Sequence, residues 1–169
     1  VVGECNDSYL NDIRGCYIQE KDLYKAIKNA DIYFEQGDVG AGKGMSCFQM
    51  KGGIGSASRV LSINDKEYTI GVLVMSNFGL LDDFKYNNFS NHQIHGTEKG
   101  SIIMIIATNL PMSSRQLKRV CKRMPVPLSR LGSHLGNGSG DIAIAFSTAN
   151  TIPHTYSKPL TLQFIPENY

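Results

Sequence analysis

The chain has 169 residues, of which 41% are hydrophobic, enough to form the core of one globular domain. Seventeen Lys and Arg residues stand against 15 Asp and Glu residues, and the resulting formal charge of +2 gives no reason to expect nucleic acid as a partner. Because the longest apolar run is too short to cross a bilayer and no signal-like segment opens the chain, we expect no membrane partner either.

The four cysteines are scattered along the chain and form no CxxC pair. Zinc sites and small disulfide-bonded domains need cysteines at short, regular spacings, so neither is indicated. We therefore expect a reducing, cytoplasmic location and no bound metal.

The first half of the chain predicts a helix, a glycine-rich loop and several strands. Leu23, Ala26 and Ile27 recur at helical spacing and predict a helix over residues 20–30, after which glycines interrupt regular structure. A polar segment, residues 82–99, has no clear periodicity, so we expect a mobile loop before Ser101. Segments rich in β-forming residues predict strands at 48–50, 59–63 and 67–75.

The second half predicts two helices between strands. Residues 101–108, like residues 70–75, are apolar on both faces, which is typical of strands in the middle of a sheet. Ser113 or Ser114 can cap a helix that we expect Pro125 to end. The remaining candidates are a short helix at 127–135 and strands at 141–146 and 160–165. One α+β domain over residues 1–169 follows.

The segment from Gly37 to Gly44 nearly matches the phosphate-binding pattern GxxxxGK[ST], in which backbone amides and the lysine hold phosphates. Gly44 stands where the pattern needs a hydroxyl. The order helix, loop, strand is also the reverse of the order that directs a helix N-terminus at phosphate. An ordinary glycine-rich turn is the preferred interpretation, and we predict no cofactor.

Two further patterns also have ordinary explanations. His92 and His95 are three residues apart, but no carboxylate or cysteine at a useful spacing accompanies them as a metal ligand. Residues 115–130 include six Lys or Arg and no acid, yet no aromatic residue is interleaved to stack on bases. Solvated histidines and a solvated helix face are preferred over a metal site and a nucleic-acid site.

Small polar residues stand at the ends of three predicted strands. Ser76-Asn77-Phe78-Gly79 ends one, Gly100-Ser101 begins the next, and Gly138-Ser139-Gly140-Asp141 begins a third. Each motif alone is ordinary turn chemistry. Their joint occurrence at strand ends favours a functional site formed by these residues.

These motifs, with residues 4–15 and 48–55, resemble the DmpA-like L-aminopeptidase/D-esterase and β-aminopeptidase family, peptidase family S58. The resemblance covers nearly the whole chain, and its most specific part is the order and spacing of residues 100–111, 116–119, 136–141 and 145–150. It implies an α+β fold, the αββα four-layer sandwich of the DmpA and ornithine acetyltransferase type. Because family precursors are longer, the chain would be a central part of that sandwich, incomplete at both ends.

The resemblance also implies a precursor that cleaves itself between Gly100 and Ser101 and then works as a serine aminopeptidase. The Ser101 hydroxyl can attack the preceding carbonyl, which Gly100 leaves sterically open. Once freed, the α-amine of Ser101 has a reference pKa of about 7.7–8.0 and can act as the base for the hydroxyl. The implied partners are small peptide, amide or ester substrates, the protein's own N-terminal and C-terminal segments, and further copies in a homo-oligomer.

Four more residues receive roles by resemblance. Asn77 occupies the position of the oxyanion-hole donor, which stabilises the charge of a tetrahedral intermediate. Ser139 and Asp141 match positions that orient the nucleophile and its amine, with Asp141 where close relatives often carry Glu. Glu4 is a candidate for binding the free amine of the substrate.

Two alternatives stay open. A noncatalytic or truncated homologue, acting as an assembly or ligand-binding module, would leave Ser101 uncleaved and inert. An acyltransferase like the ornithine relatives of the fold would use a threonine nucleophile within a different motif, and Ser101 argues against it. Transfer of an acyl group to an added amine would identify the acyltransferase.

Overall fold

A four-stranded sheet forms the centre of the fold in a computed structural model that describes residues 5–86, 99–155 and 158–167. Most of the loop expected before Ser101 lies outside the described residues. In chain order, the helices and strands are α1 (Glu20–Lys28), β1 (Ser46–Cys47), β2 (Met50–Lys51), β3 (Gly53–Ile63), β4 (Lys66–Asn77), β5 (Gly100–Thr108), α2 (Ser114–Cys121), α3 (Pro125–Leu131) and β6 (Ser139–Ser147). Short 3-10 helices lie at Ile13–Gly15, Gly40–Gly44 and Leu81–Asp83.

The order of strands in the sheet is β3-β4-β5-β6, so β4 and β5 occupy its centre. β4 is antiparallel to both of its neighbours, whereas β5 and β6 are parallel. A parallel pair requires a crossover connection, and the segment with α2 and α3 provides it. The prediction that the two strands apolar on both faces lie in the middle of the sheet is confirmed. β1 and β2 form a separate two-stranded ribbon.

The hydrophobic core lies against the ends of β4 and β5. The ring of Phe48 contacts Phe78 edge to face, with centroids 5.1 Å apart, and stacks on Phe84 at 4.7 Å. The buried residues of this cluster are Phe48, Phe78, Ile102, Met104 and Leu128. Phe78 directly follows Asn77, and Ile102 directly follows Ser101. Burial of Phe78 and Ile102 in the core therefore holds the backbone next to both polar residues in place.

Two strand predictions are wrong because tertiary contacts override local propensity. Phe48 and Gln49 adopt positive φ values of 49° and 59° and form the turn between β1 and β2. Burial of the Phe48 ring and a 2.7 Å hydrogen bond from its N–H to the Phe78 carbonyl hold this turn. Residues 160–165 form no strand among the described residues, since hydrogen bonds tie this segment to α2 and the loop before it.

Other predicted boundaries also move. β3 begins at Gly53 rather than at residue 59, because pairing with β4 holds a Gly-, Ser- and Ala-rich segment of low strand propensity. Pro125 begins α3 instead of ending α2, and a proline suits this position because the first N–H of a helix has no intrahelical partner. α3 ends at Leu131, and Gly132 caps it with a φ of 119°, which favours glycine.

At the edge of the sheet, β6 leaves apolar residues exposed in the described part of the chain. On β6, the residues Ile142 and Phe146 are 45% and 42% exposed, and α1 has no buried residue. Of the helices in the described ranges, none combines the length and the apolar character needed to cross a membrane.

Candidate active site

Strand register brings the three strand-end motifs together around Ser101. Asn77, the last residue of β4, lies opposite Ser101 in the antiparallel pair. Gly140 of β6 lies beside Ser101 in the parallel pair. Because directly paired residues present their side chains on the same face of a sheet, Asn77 and Ser101 share one face.

The Ser101 hydroxyl lies next to the peptide bond that precedes it. It donates a hydrogen bond to the Gly100 carbonyl oxygen at 2.6 Å, and its oxygen accepts one from the Gly140 N–H at 3.3 Å. The Gly140 donor favours any negative charge that develops on the hydroxyl oxygen. The arrangement therefore combines a nucleophile, a carbonyl within its reach and a donor that supports the nucleophile.

Gly100 is a steric requirement of this arrangement. A Cβ at this position would lie 2.1 Å from the Asn77 carbonyl oxygen and 2.8 Å from the Phe78 Cα. Both neighbours are main-chain atoms, so they cannot move aside by a change of rotamer. Only glycine lets the ends of β4 and β5 approach this closely.

We expect Gly100→Ala to separate the ends of β4 and β5, which lowers the free energy of unfolding by about 1–3 kcal/mol. The same displacement moves the Gly100 carbonyl away from the Ser101 hydroxyl, and the cleavage predicted at this bond should become slower. Denaturant unfolding and the appearance of fragments by mass spectrometry measure the two effects. Gly55→Ala on β3 is the matched control, since a Cβ there meets nothing within 4 Å. Equal behaviour of the two variants would contradict the steric argument.

The Asn77 side chain is held at both of its polar atoms. Its Oδ1 accepts a 3.0 Å hydrogen bond from the Ser46 N–H, and its Nδ2 donates a 2.9 Å hydrogen bond to the Asn6 carbonyl. These contacts define which end of the amide is the donor. The amide nitrogen has two hydrogens, so the bond to Asn6 leaves a second N–H for another acceptor.

Ser139 and Asp141 interact with each other: the Ser139 hydroxyl donates to Asp141 Oδ1 at 2.6 Å. In the β5–β6 register, Ser139 lies beside Gly100 and Asp141 beside Ile102, on either side of the Ser101–Gly140 pair. Since side chains alternate along a strand, both project from the face opposite the Ser101 hydroxyl.

The glycine-rich loop from Gly37 to Gly44 turns the Gly42 carbonyl and the Asp38 carboxylate toward a charged group. The Lys51 ammonium donates to the Gly42 carbonyl at 2.6 Å and lies 3.4 Å from Asp38 Oδ1. Carbonyl oxygens directed at a cation have the opposite polarity to an amide cradle for phosphate. The loop is therefore built around a lysine of its own chain.

Within the described residues, the structure places no further sequence candidate at Ser101. Glu4, His92 and His95 lie outside the described residues. Within the ranges that the structure describes, no three His, Cys, Asp or Glu side chains are grouped to hold a metal ion. Burial raises the pKa of the Cys47 thiol, although hydrogen bonds with Ser76 and Phe78 oppose this, so the thiol stays protonated at neutral pH and is a poor nucleophile.

Sequence reasoning did not assign the contacts of four contributors: Asn6, Ser46, Lys51 and Gly140. Three of them act on the site through main-chain N–H or carbonyl groups, which every residue type except proline shares. No sequence pattern marks such contacts. Lys51 carries a distinctive side chain, but its carbonyl partners become visible only in three dimensions.

Comparison with known proteins assigns the family. The family description "Peptidase family S58" matches residues 1–169. The chain belongs to peptidase family S58. The resemblance inferred from the strand-end motifs is thereby confirmed.

Relatives of this S58 chain include proteins named as aminopeptidases. It is 40% identical to the β-peptidyl aminopeptidase BapA of Sphingosinicella microcystinivorans, over 89% of this chain and 43% of that protein. Among solved structures, it is similar to the PH0078 protein from Pyrococcus horikoshii OT3, with 48% identity, a TM-score of 0.84 and coverage of 96% of this chain and 46% of the other.

A second solved structure describes the fold. It is the L-aminopeptidase D-Ala-esterase/amidase from Ochrobactrum anthropi, a serine aminopeptidase reported as a variant of the Ntn hydrolase fold. Identity is 37% and the TM-score is 0.83, over 95% of this chain and 46% of that chain. This likeness confirms the predicted α+β fold class. The chain spans less than half the length of these relatives.

Proposed function

We propose that the protein is a self-processing serine aminopeptidase in which Ser101 becomes the N-terminal nucleophile. One observation carries the proposal: the Ser101 hydroxyl oxygen lies 2.6 Å from the Gly100 carbonyl oxygen, at the strand position opposite Asn77. The names of the relatives, β-peptidyl aminopeptidase and L-aminopeptidase, support the same reaction class.

In self-cleavage, the Ser101 hydroxyl oxygen attacks the Gly100 carbonyl carbon. The hydroxyl proton passes to the Ser101 nitrogen, which leaves as an amine while the acyl group becomes an ester on the serine oxygen. Water then hydrolyses this ester, releasing the Gly100 carboxylate and restoring the hydroxyl. The amine that remains on Ser101 is the group that a later catalytic cycle uses.

In each cycle, the neutral α-amine of Ser101 takes the hydroxyl proton while the hydroxyl attacks the substrate carbonyl. The second N–H of Asn77 is the donor for the oxyanion, and removing such a donor costs roughly 10²–10³ in rate. The Ser139–Asp141 pair holds the amine from the opposite face of the sheet. Glu4 binds the free amine of the substrate.

The proposed substrates are small peptides, amides or esters with a free N-terminal amine. The proposed partners are the N-terminal and C-terminal segments of a longer protein and further copies in a homo-oligomer, and the exposed apolar residues of β6 offer a surface for them. A cytoplasmic location is supported by the cysteines, none of which forms a disulfide. Neither nucleic acid nor a membrane takes part.

Intact mass spectrometry of the full-length protein tests the proposal, and we expect two fragments, one of which begins at Ser101. The cleaved protein should then hydrolyse an amino-acid anilide with a free amine, but not its N-acetylated counterpart, because acetylation removes the recognised charge. An uncut chain that releases no aniline would favour the noncatalytic alternative. Transfer of the acyl group to added hydroxylamine in preference to water would favour an acyltransferase.

A further inference from the structure

The Lys51 ammonium is surrounded by carbonyl groups. It donates hydrogen bonds to the Gly42 carbonyl at 2.6 Å, the Gly52 carbonyl at 2.9 Å and the Met45 carbonyl at 3.2 Å. An ammonium has three N–H donors, so these three bonds use all of them. Asp38 adds a carboxylate oxygen at 3.4 Å. We name the three carbonyls with Lys51 the carbonyl cage.

The cage is connected to Asn77 through one residue. Ser46 directly follows Met45 and pairs with Lys51 in the β1–β2 ribbon. The Ser46 N–H, which belongs to the same peptide group as the Met45 carbonyl, donates to Asn77 Oδ1 at 3.0 Å. One rigid peptide plane therefore contacts the ammonium on one side and the Asn77 amide on the other.

Tight packing limits how far this peptide plane can move while the cage is intact. A Cβ at Gly52 would lie 2.5 Å from the Ser76 carbonyl, so the ribbon sits directly against the residue before Asn77. The Gly52 N–H also donates to the Met45 carbonyl at 2.9 Å. Without the ammonium, three carbonyl oxygens would face one another with no compensating charge, and the Met45–Ser46 peptide would rotate to relieve the repulsion.

We propose that Lys51 is a positioning residue that, through the Met45–Ser46 peptide, fixes the orientation of the Asn77 side-chain amide. The proposal rests on the proposed function, because it matters for the reaction only if Asn77 is the oxyanion donor. Lys51 itself contacts no reacting atom, since its three donors are already engaged.

The test compares Lys51→Met with Lys43→Met in the full-length protein. Methionine keeps the unbranched shape of the lysine side chain as far as Cε but has neither charge nor N–H donors, and Lys43 is an exposed lysine of the glycine-rich loop from Gly37 to Gly44. The concentration of active Ser101 sites is first measured by titration with an acylating ester. We then expect Lys51→Met to lower kcat about tenfold with little change in KM. A misdirected Asn77 donor should lower the rate by less than the complete loss of that donor does. Lys43→Met should match wild type.

A double-mutant cycle separates positioning from general damage. If Lys51 acts through Asn77, Lys51→Met should cause no further loss of kcat in an Asn77→Ala background. The same fold-loss in both backgrounds, or equal rates for Lys51→Met and Lys43→Met, would overturn the proposal. If Lys51→Met does not fold, Lys51→Leu, which also has neither charge nor N–H donors, enters the same cycle with the same criteria.

Hydrogen exchange gives an answer that does not depend on catalysis. We expect the Ser46 amide to exchange faster in Lys51→Met than in wild type or Lys43→Met, because its hydrogen bond to Asn77 loosens. Unchanged exchange at Ser46 would overturn the positioning role even in an active enzyme. If wild type is inactive but exchange changes as expected, the proposed function fails while the structural link stands.

Discussion

Full-length protein carrying Ser101→Ala is expected to remain one uncut chain, whereas wild type splits between Gly100 and Ser101. Alanine keeps the strand conformation and a small side chain but removes the Ser101 hydroxyl oxygen, which lies 2.6 Å from the Gly100 carbonyl oxygen. The rate of anilide hydrolysis should fall by roughly 10⁶, the scale on which loss of a serine nucleophile acts in other hydrolases.

The Ser101→Ala chain loses hydrolysis for two reasons, because it lacks both the hydroxyl and the freed amine. Co-expression of two separate chains, one ending at Gly100 and one beginning with alanine at position 101, restores the amine without the hydroxyl. We expect this two-chain protein to be as inactive as the uncut variant. Ser62→Ala, which changes an exposed serine on β3, is the matched control and should process and hydrolyse like wild type. Cleavage of the Ser101→Ala chain at the same bond would exclude Ser101 as the nucleophile.

Asn77→Ala is expected to lower kcat/KM by about 10²–10³, because it removes the proposed oxyanion donor. Asn77→Asp should lose more activity. Its carboxylate still accepts the Ser46 N–H but offers no donor and places negative charge where the oxyanion forms. Anilide hydrolysis by protein that has already been cleaved measures both variants without interference from slower processing.

Asn109 provides the matched control for Asn77. Its Oδ1 accepts a 2.7 Å hydrogen bond from the Thr69 N–H, at the opposite end of the β4–β5 pair. Asn109→Ala therefore removes a comparable contact between a side chain and a strand, far along the strands from Ser101. We expect it to change stability and leave kcat/KM close to wild type. Similar losses for Asn109→Ala and Asn77→Ala would show that the Asn77 effect is structural.

The sequence predicts the central strands and the helices well because their residues carry the information locally. Residues 70–75 and 102–107 carry no polar side chain, which is typical of strands in the middle of a sheet. Ser113 caps α2 by accepting the Gln116 N–H, as its position before an amphipathic run indicates. Such patterns depend on neighbours in the chain and need no knowledge of the fold.

The turn at Phe48 shows why other elements could not be predicted. A phenylalanine with positive φ is disfavoured locally, and residues 48–50 therefore resemble a strand. The core contacts of its ring with Phe78 and Phe84 compensate for that cost. A segment whose conformation is decided by distant partners carries no local signal of it.

Some features of the candidate site were also predictable from the sequence, whereas others depend on the tertiary structure. By itself, the sequence determined the residue types at the strand ends and their order, enough to recognise the S58 family and to select Asn77 and Ser101. Only the tertiary structure decided that Ser101 lies between Asn77 and Gly140, that Ser139 and Asp141 project from the other face, and that Lys51 supports the peptide that holds Asn77. The physical reason is that strand register and main-chain hydrogen bonds join residues far apart in the chain through groups that nearly all amino acids share.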